Sequence, residues 1–198
     1  MARKSFPRLA LVSSAAALSV LMAGCSSVPQ ALDSRQNAGP CPSGLTLYDA
    51  SRYVAFAPGA TDERFNSISW TAEITDVRLF CRYTGDNPIV AQVEVDFAFG
   101  RGAQAEGYSH DYPFFVSVTR RNRAVLEKDF FTVTAEFERG SRVSGKTVTF
   151  ERLEIPRYDD TISGANFEVI VGFDLTEEQL AFNRAGKRFR LDAASTLD

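Results

Sequence analysis

Hydrophobic and polar side chains alternate along much of this chain, which is the pattern of half-buried β-strands. The clearest case runs from Ile89 to Phe99, where odd positions are apolar or small and Gln92, Glu94 and Asp96 occupy even positions. The same two-residue period predicts further strands at 52–57, 68–74, 77–83, 112–119, 124–138, 147–155 and 167–173. Turn-forming residues separate most of these stretches, so the sequence predicts a mainly β protein.

The alternation changes phase at Thr75 and Asp76. Before this point the apolar side chains fall on even positions, as at Trp70, and after it they fall on odd positions, as at Val77. A strand that continued without correction would turn its apolar face to water. We therefore expect a β-bulge or a break between two strands here. A second phase slip is expected at 128–129.

One helix is predicted after the last strand, over residues 177–185. Thr176 and Gln179 have the spacing of a capping box, in which each side chain accepts a bond from the other residue's backbone N–H. The first turn is acidic and the end of the helix is basic, which suits the helix dipole. Gly186 is typical of the residue that follows a helix.

Seven to eight short strands and one short C-terminal helix predict an antiparallel β-sandwich, loosely immunoglobulin-like, with a small barrel as the alternative. Sixteen Phe residues supply bulky packing groups. Two adjacent pairs stand out, and in each pair the two rings must point to opposite sides of a strand. The pairs are Phe114 with Phe115 and Phe130 with Phe131. The outward rings either meet the helix and loops or form an exposed patch for a partner.

The first 24 residues have the composition of a secretory signal, with three basic residues, an apolar run at 9–23 and small residues before Cys25. The run is shorter than the roughly 20 residues that span a bilayer as a helix. Its end, Leu-Met-Ala-Gly-Cys at 21–25, resembles a bacterial lipobox. The resemblance implies cleavage before Cys25 and lipid attachment to it, which gives stable anchoring. The alternatives are an unlipidated signal peptide and an uncleaved anchor.

Ser26 follows the proposed lipid-attachment residue. By analogy with enteric lipoproteins, where Asp at this position retains the protein in the inner membrane, we expect the outer membrane, facing the periplasm. Residues 25–40 lack periodicity and are rich in Ser, Pro, Gln, Asn and Gly, which predicts a flexible tether. Residues 41–198 would then form one domain of ordinary size.

Charge and cysteine content narrow the possible functions. Beyond residue 24 the chain has 19 basic and 25 acidic residues and no dominant basic stripe, so we expect no nucleic-acid partner. With Cys25 lipidated, Cys41 and Cys81 remain, and in an oxidising compartment we expect them to pair. Closing that loop stabilises a fold by about 3–4 kcal/mol on the chain-entropy model. Two buried free thiols are the alternative.

Two weak candidate sites contain chemically active side chains. His110 beside Asp111 has the composition of an acid–base pair, although a solvated loop histidine is the simpler interpretation. Arg120, Arg121 and Arg123 lie in a short connection and suit an acidic partner, a phosphate or a lipid headgroup. Charged hairpin tips are also ordinary. The single histidine and the lack of a CxxC motif favour no metal site, and we predict no cofactor and no catalytic site.

Five short motifs are distributed along the predicted domain: Cys-Pro at 41–42, Asp-Ala-Ser-Arg at 49–52, Cys-Arg-Tyr at 81–83, Pro-Phe-Phe-Val at 113–116, and the segment 171–184 that begins Val-Gly-Phe-Asp-Leu-Thr. With them the chain resembles a group of uncharacterised α-proteobacterial envelope lipoproteins. The resemblance spans residues 41–185. It implies a location in the cell envelope and a fold type, and it implies no biochemical activity.

These observations together predict a function class. We expect a non-enzymatic accessory or scaffold component of an envelope complex, with an envelope protein as its partner. The alternatives are a periplasmic binding module for a small apolar or glycan ligand and a cell-wall hydrolase. The sequence does not predict the oligomeric state.

Overall fold

The computed structural model describes residues 39–81, 83, 88–121, 123–159 and 161–187. Within these ranges the chain forms eight strands and one α-helix. The strands are β1 (Ser43–Thr46), β2 (Arg52–Phe56), β3 (Ile68–Cys81), β4 (Ile89–Arg101), β5 (Ser109–Arg120), β6 (Ala124–Glu136), β7 (Val143–Ile155) and β8 (Phe167–Phe173), and the helix is α1 (Glu177–Arg184). The predicted lipid attachment at Cys25 and most of the predicted tether lie outside the described residues.

The strands form two four-stranded sheets that enclose the core between them. Sheet A has the order β1-β8-β5-β6 and sheet B the order β2-β3-β4-β7. All neighbouring strands are antiparallel except β1 and β8, which are parallel. The predicted β-sandwich with one short C-terminal helix is therefore confirmed.

The phase change at Thr75 is a bulge within one long strand. The register between β3 and β4 shifts there, since Ile74 lies opposite Phe97 whereas Asp76 lies opposite Asp96. Thr75 is the extra residue, and it returns the apolar side chains to the core side. The expected β-bulge is therefore present, rather than a break between two strands. The stretches 68–74 and 77–83 belong to a single strand that ends at residue 81.

The second slip lies two residues earlier than the sequence suggests. In the pairing of β5 with β6, Val118 lies opposite Glu127 and Thr119 lies opposite Val125, so the bulge is at Leu126. A slip is therefore present in this strand, and the expected position near Lys128 and Asp129 was two residues too late. Glu127 lies on the core side of the strand and is nevertheless exposed.

Strand ends account for the other differences. β5 begins at Ser109, so His110 and Asp111 lie in a strand rather than in the predicted loop. β7 begins at Val143, within the stretch 140–146 that was predicted as a loop. The short strand β1 was not predicted. Residues near such ends are often exposed on both sides, so their sequence lacks the alternation that identifies a half-buried strand.

Large side chains fill the space between the sheets. Those that are fully buried include Tyr112, Phe114, Phe167 and Phe173. The helix α1 packs through Phe182 on a smaller cluster that includes Val54 and Ile68. The expected capping box is present, with Thr176 Oγ1 accepting from Gln179 N at 3.3 Å and Gln179 Oε1 accepting from Thr176 N at 3.0 Å.

The start of the described chain is fastened to the sandwich by a covalent bond and a buried phenol. Cys41 and Cys81 form a disulfide, which confirms the predicted pairing. The Tyr83 hydroxyl donates to Pro40 O at 2.9 Å and accepts from Gly164 N at 2.6 Å. Gly39 N also donates to Tyr83 O at 3.3 Å. The last residues of the predicted tether are therefore hydrogen-bonded to the domain.

We predict that Tyr83→Phe lowers the free energy of unfolding by about 1–3 kcal/mol, because it leaves the Pro40 carbonyl and the buried Gly164 N–H without their partner. Denaturant unfolding at neutral pH measures the difference. Tyr158→Phe is the matched control, since Tyr158 is 90% exposed and its hydroxyl faces water. Equal stabilities for the two variants would contradict a bridging role for the Tyr83 hydroxyl.

Candidate functional site

His110 lies among aromatic rings near the start of β5. Its imidazole stacks on Trp70, with ring centroids 4.8 Å apart and an interplanar angle of 6°. The Tyr112 ring meets it edge-on at 4.7 Å, and the Tyr53 hydroxyl oxygen lies 3.4 Å from Nε2. These rings cover much of the imidazole, which is half-buried.

Burial changes the acid–base properties of this imidazole. It lowers the pKa of His110 below the ordinary value of 6.5, because the charged form loses contact with water, and the nearby Asp111 carboxylate opposes the change. Burial also raises the pKa of the Tyr112 phenol, which donates to Thr71 O at 3.1 Å. His110 is therefore neutral at pH 7 and contributes as a packed ring.

The structure does not bring the His110 and Asp111 side chains together. Neighbouring residues of a strand point to opposite faces of the sheet. His110 points towards the core side, whereas Asp111 Oδ1 accepts a hydrogen bond from Thr134 Oγ1 at 2.6 Å on the outer side. The candidate acid–base pair thus divides into a ring in an aromatic cluster and a surface carboxylate.

The three arginines of the β5–β6 connection have separate environments. Arg121 Nε donates to Glu168 Oε1 at 3.0 Å, and its Nη2 donates to Ser43 Oγ at 3.1 Å. Arg120 is half-buried, and Arg123 is exposed and donates its backbone N–H to Arg120 O at 2.9 Å. The predicted tight turn is present. One of its three cations is already paired within the protein.

The outer surface of sheet A includes an apolar patch. Strand register defines it, because residues directly opposite one another share a face. Leu45 lies opposite Ile170, and Phe115 lies opposite both Gly172 and Phe130. Since Phe114 points into the core, this second set of side chains points outward.

Several large apolar side chains on this outer surface are exposed. Phe130 is 60% exposed and Val125 is 62% exposed, although both belong to regular strand. We call this surface the apolar face, and its exposed members are Leu45, Leu47, Tyr48, Val125 and Phe130. The prediction that one ring of each Phe pair points away from the core is confirmed. Phe115 is covered, whereas Phe130 is open to solvent.

Lys128 is the cation within the apolar face. Its Nζ lies 3.9 Å from the centroid of the Phe115 ring and 4.8 Å from that of the Phe130 ring. An ammonium group over an aromatic face is attracted by the ring quadrupole. No carboxylate of the described residues forms a salt bridge with it.

A cleft lies between the apolar face and α1. Its volume is about 420 Å³, within the range of small-molecule sites. Apolar groups and four charged side chains line it, among them Leu47, Phe115 and Leu180. Two of the charged groups pair with each other, Arg184 Nε with Asp49 Oδ2 at 3.2 Å.

The outer surface of sheet B has the opposite character. There Arg78 donates to Asp76 at 2.7 Å, to Glu94 at 3.1 Å and to Asp96 at 3.0 Å. The bond from Arg78 holds the pKa of the Asp96 carboxyl below its ordinary value, and Thr147 adds to the effect. These groups bond to one another across neighbouring strands and face water.

One predicted site residue falls outside the described ranges. Cys25 lies outside them. Within them, no group of three or more His, Cys, Asp or Glu side chains is placed to bind a metal ion. No helix among the described residues has the length and apolarity to cross a membrane. Searches against protein-family models, curated proteins and solved structures gave no significant match.

Sequence reasoning missed how these surfaces are assembled. It singled out His110 and not the aromatic ring stacked on it, because Trp70 is 40 residues away in the chain. It identified the outward Phe residues and not Lys128 or the cleft. The run of three charged residues at 127–129 could have revealed the position of Lys128. Neighbouring residues of a strand point to opposite faces, so the middle residue of the run lies on the face opposite to the other two.

We predict that His110 makes stability depend on pH below neutrality. The unfolded chain takes up a proton near pH 6.5 and the folded chain only at lower pH, so the free energy of unfolding falls as the pH falls through that window. His110→Phe removes this contribution. Denaturant unfolding followed by Trp70, the only tryptophan, measures both proteins. The same slope between pH 7 and the folded-state pKa in both would contradict the assignment.

Proposed function

We propose that this protein is a lipid-anchored envelope protein that holds a protein partner at the membrane through its apolar face and carries out no chemistry of its own. The observation that carries the proposal is the difference between the two outer surfaces. The outer surface of sheet B has a cluster of bonded charges around Arg78 and exposes Phe80 and Val143 at separate positions, whereas sheet A exposes Val125 and, next to Phe115, Phe130. Contiguous exposed apolar side chains are typical of interaction surfaces.

The proposed lipid anchor and the proposed cellular location rest on the sequence. The lipobox resemblance at 21–25 supports lipidation of Cys25, and Ser26 supports the outer membrane, facing the periplasm. The disulfide between Cys41 and Cys81 agrees with an oxidising compartment. In this arrangement the membrane restricts where the domain can diffuse, and the apolar face selects what it binds.

A small-ligand binding module is the second candidate function. The cleft beside α1 favours it, because about 420 Å³ of space is bordered by apolar side chains and a few charged ones. The cleft lies outside the sandwich, whereas a carrier with an enclosed cavity would use the space between the sheets. That space is filled by side chains such as Phe114 and Phe173.

We predict that Cys25→Ala releases the protein from the membrane fraction and abolishes its labelling by radioactive palmitate in its native cells. The reason is that the thiol of residue 25 is the proposed site of acylation. Cell fractionation and fluorography measure the two effects. A protein that stays membrane-bound and labelled without Cys25 would overturn the proposed anchor.

We further predict that Val125→Ser with Phe130→Ser abolishes co-purification of the partner in mild detergent, because the contact loses two of its most exposed apolar side chains. Quantitative mass spectrometry of the purified complexes measures the loss. Phe80→Ser is the matched control, since Phe80 is 51% exposed on the outer surface of sheet B. A partner that depends equally on Phe80, or on none of these residues, would contradict docking on the apolar face.

A further inference from the structure

The apolar face ends at a strand that, within the part of the chain the structure describes, has no neighbour on one side. β6 is the last strand of sheet A and pairs only with β5. Every residue from 124 to 132 is exposed, although the stretch is β-strand interrupted only by the bulge at Leu126. Exposure of both faces from 124 to 130 means that, among the described residues, neither sheet B nor another strand covers this part of β6.

The exposed half of β6 has an open backbone edge. Antiparallel pairing with β5 uses the N–H and C=O groups of one side, and those of the other side face outward. Sheet B first meets β6 at Phe131, whose ring packs edge-on against Phe150 of β7 with centroids 4.8 Å apart. Farther along, Lys146 Nζ donates to Thr134 O at 3.4 Å. Unpaired edges of this kind are templates for an added strand, and proteins use them to bind extended segments.

The two sides of this edge differ in charge. On the outer side are Lys128 and Phe130, which belong to the apolar face. On the core side are Glu127 and Asp129, opposite Val118 and Val116 of β5. Both acidic residues are exposed and form no salt bridge with another described residue.

A second copy of this chain is a poor match for the edge. Antiparallel self-pairing about residue 127 or 129 places an acid opposite itself, and pairing about residue 128 places Glu127 opposite Asp129. Like charges directly opposite one another destabilise a sheet. Pairing centred nearer Phe130 puts the acids opposite apolar residues. The charges therefore disfavour self-pairing in the registers centred on the middle of this stretch, and they favour a partner that supplies the opposite charge.

We propose that the open edge of β6 binds an extended segment of the protein partner, in which apolar residues alternate with lysine or arginine. As an added strand, its apolar side chains extend the apolar face beside Phe130, and its basic side chains lie beside Glu127 and Asp129. The proposal deepens the proposed function, on which it rests for the existence of a partner.

A peptide binding experiment tests the edge directly. The probe is an acetylated peptide with alternating valine and lysine, as long as the stretch 124–132, and the control peptide has glutamate in place of lysine. The full-length chain with Cys25→Ala is titrated with each peptide, and hydrogen exchange with mass spectrometry locates the protected amides. We expect the lysine peptide to bind at least about tenfold more tightly and to protect residues 124–132.

Charge reversal provides the decisive variants. Glu127→Lys with Asp129→Lys is expected to weaken binding of the lysine peptide about tenfold and to strengthen binding of the glutamate peptide by a similar factor. Glu106→Lys with Glu138→Lys is the matched control. Those two acids are exposed in loops and change the net charge equally, so this variant is expected to bind like the parent.

Three outcomes would overturn the proposal. They are no binding of the lysine peptide, protection confined to strands other than β6, and equal loss of binding in the two double variants, which indicates non-specific attraction between net charges. The result is separable from that of co-purification. Peptide binding without a co-purified partner would contradict the proposed accessory function and still support the edge of β6 as a binding site. The reverse result would place the partner elsewhere on the apolar face.

Discussion

The sandwich depends on one constraint, which is that a strand of 14 residues must keep its apolar side chains on one side along its whole length. The bulge at Thr75 satisfies it by inserting one residue where the alternation changes phase. As a result Val77 and Cys81 return to the core side, and Cys81 meets Cys41. That bond fixes the segment that leads into β1. A single extra residue in the middle of sheet B therefore positions an edge of sheet A.

The outer surfaces of the two sheets differ in chemistry. On sheet B, the Arg78 guanidinium bonds to carboxylates on two strands, so that charged groups satisfy each other next to water. On sheet A, the ammonium of Lys128 rests on aromatic rings instead. An apolar surface of this kind is costly to leave in water, and for this reason we propose it as the surface on which a partner docks. The interior is filled with aromatic rings, and the distinctive chemistry of the domain lies on its outside.

Alternation in the sequence was enough to predict the sandwich, because strands such as β4 and β8 have one side in the core. It failed where that condition does not hold. β1 has four residues with little pattern, and it pairs in parallel with a strand more than 100 residues away. Glu127 is charged and yet lies on the core side, because sheet B does not cover that half of β6. The alternation of apolar and polar residues indicates which side of a strand is buried. It does not indicate which distant strand or helix packs on that side. For the same reason the Phe pairs predicted outward rings but not the cleft or the open edge beside them.

The fastening of the chain at Cys41 has a mechanical consequence. Tension applied through the chain ahead of Gly39 reaches Cys41 within two residues and passes through a covalent bond into β3, a strand with neighbours on both sides. The short ladder between β1 and β8 is thereby spared the load. The Tyr83 hydroxyl shares it, because it holds both Pro40 and Gly164. A force applied at Gly39 would therefore load the central strand β3 before it reached the ladder between β1 and β8.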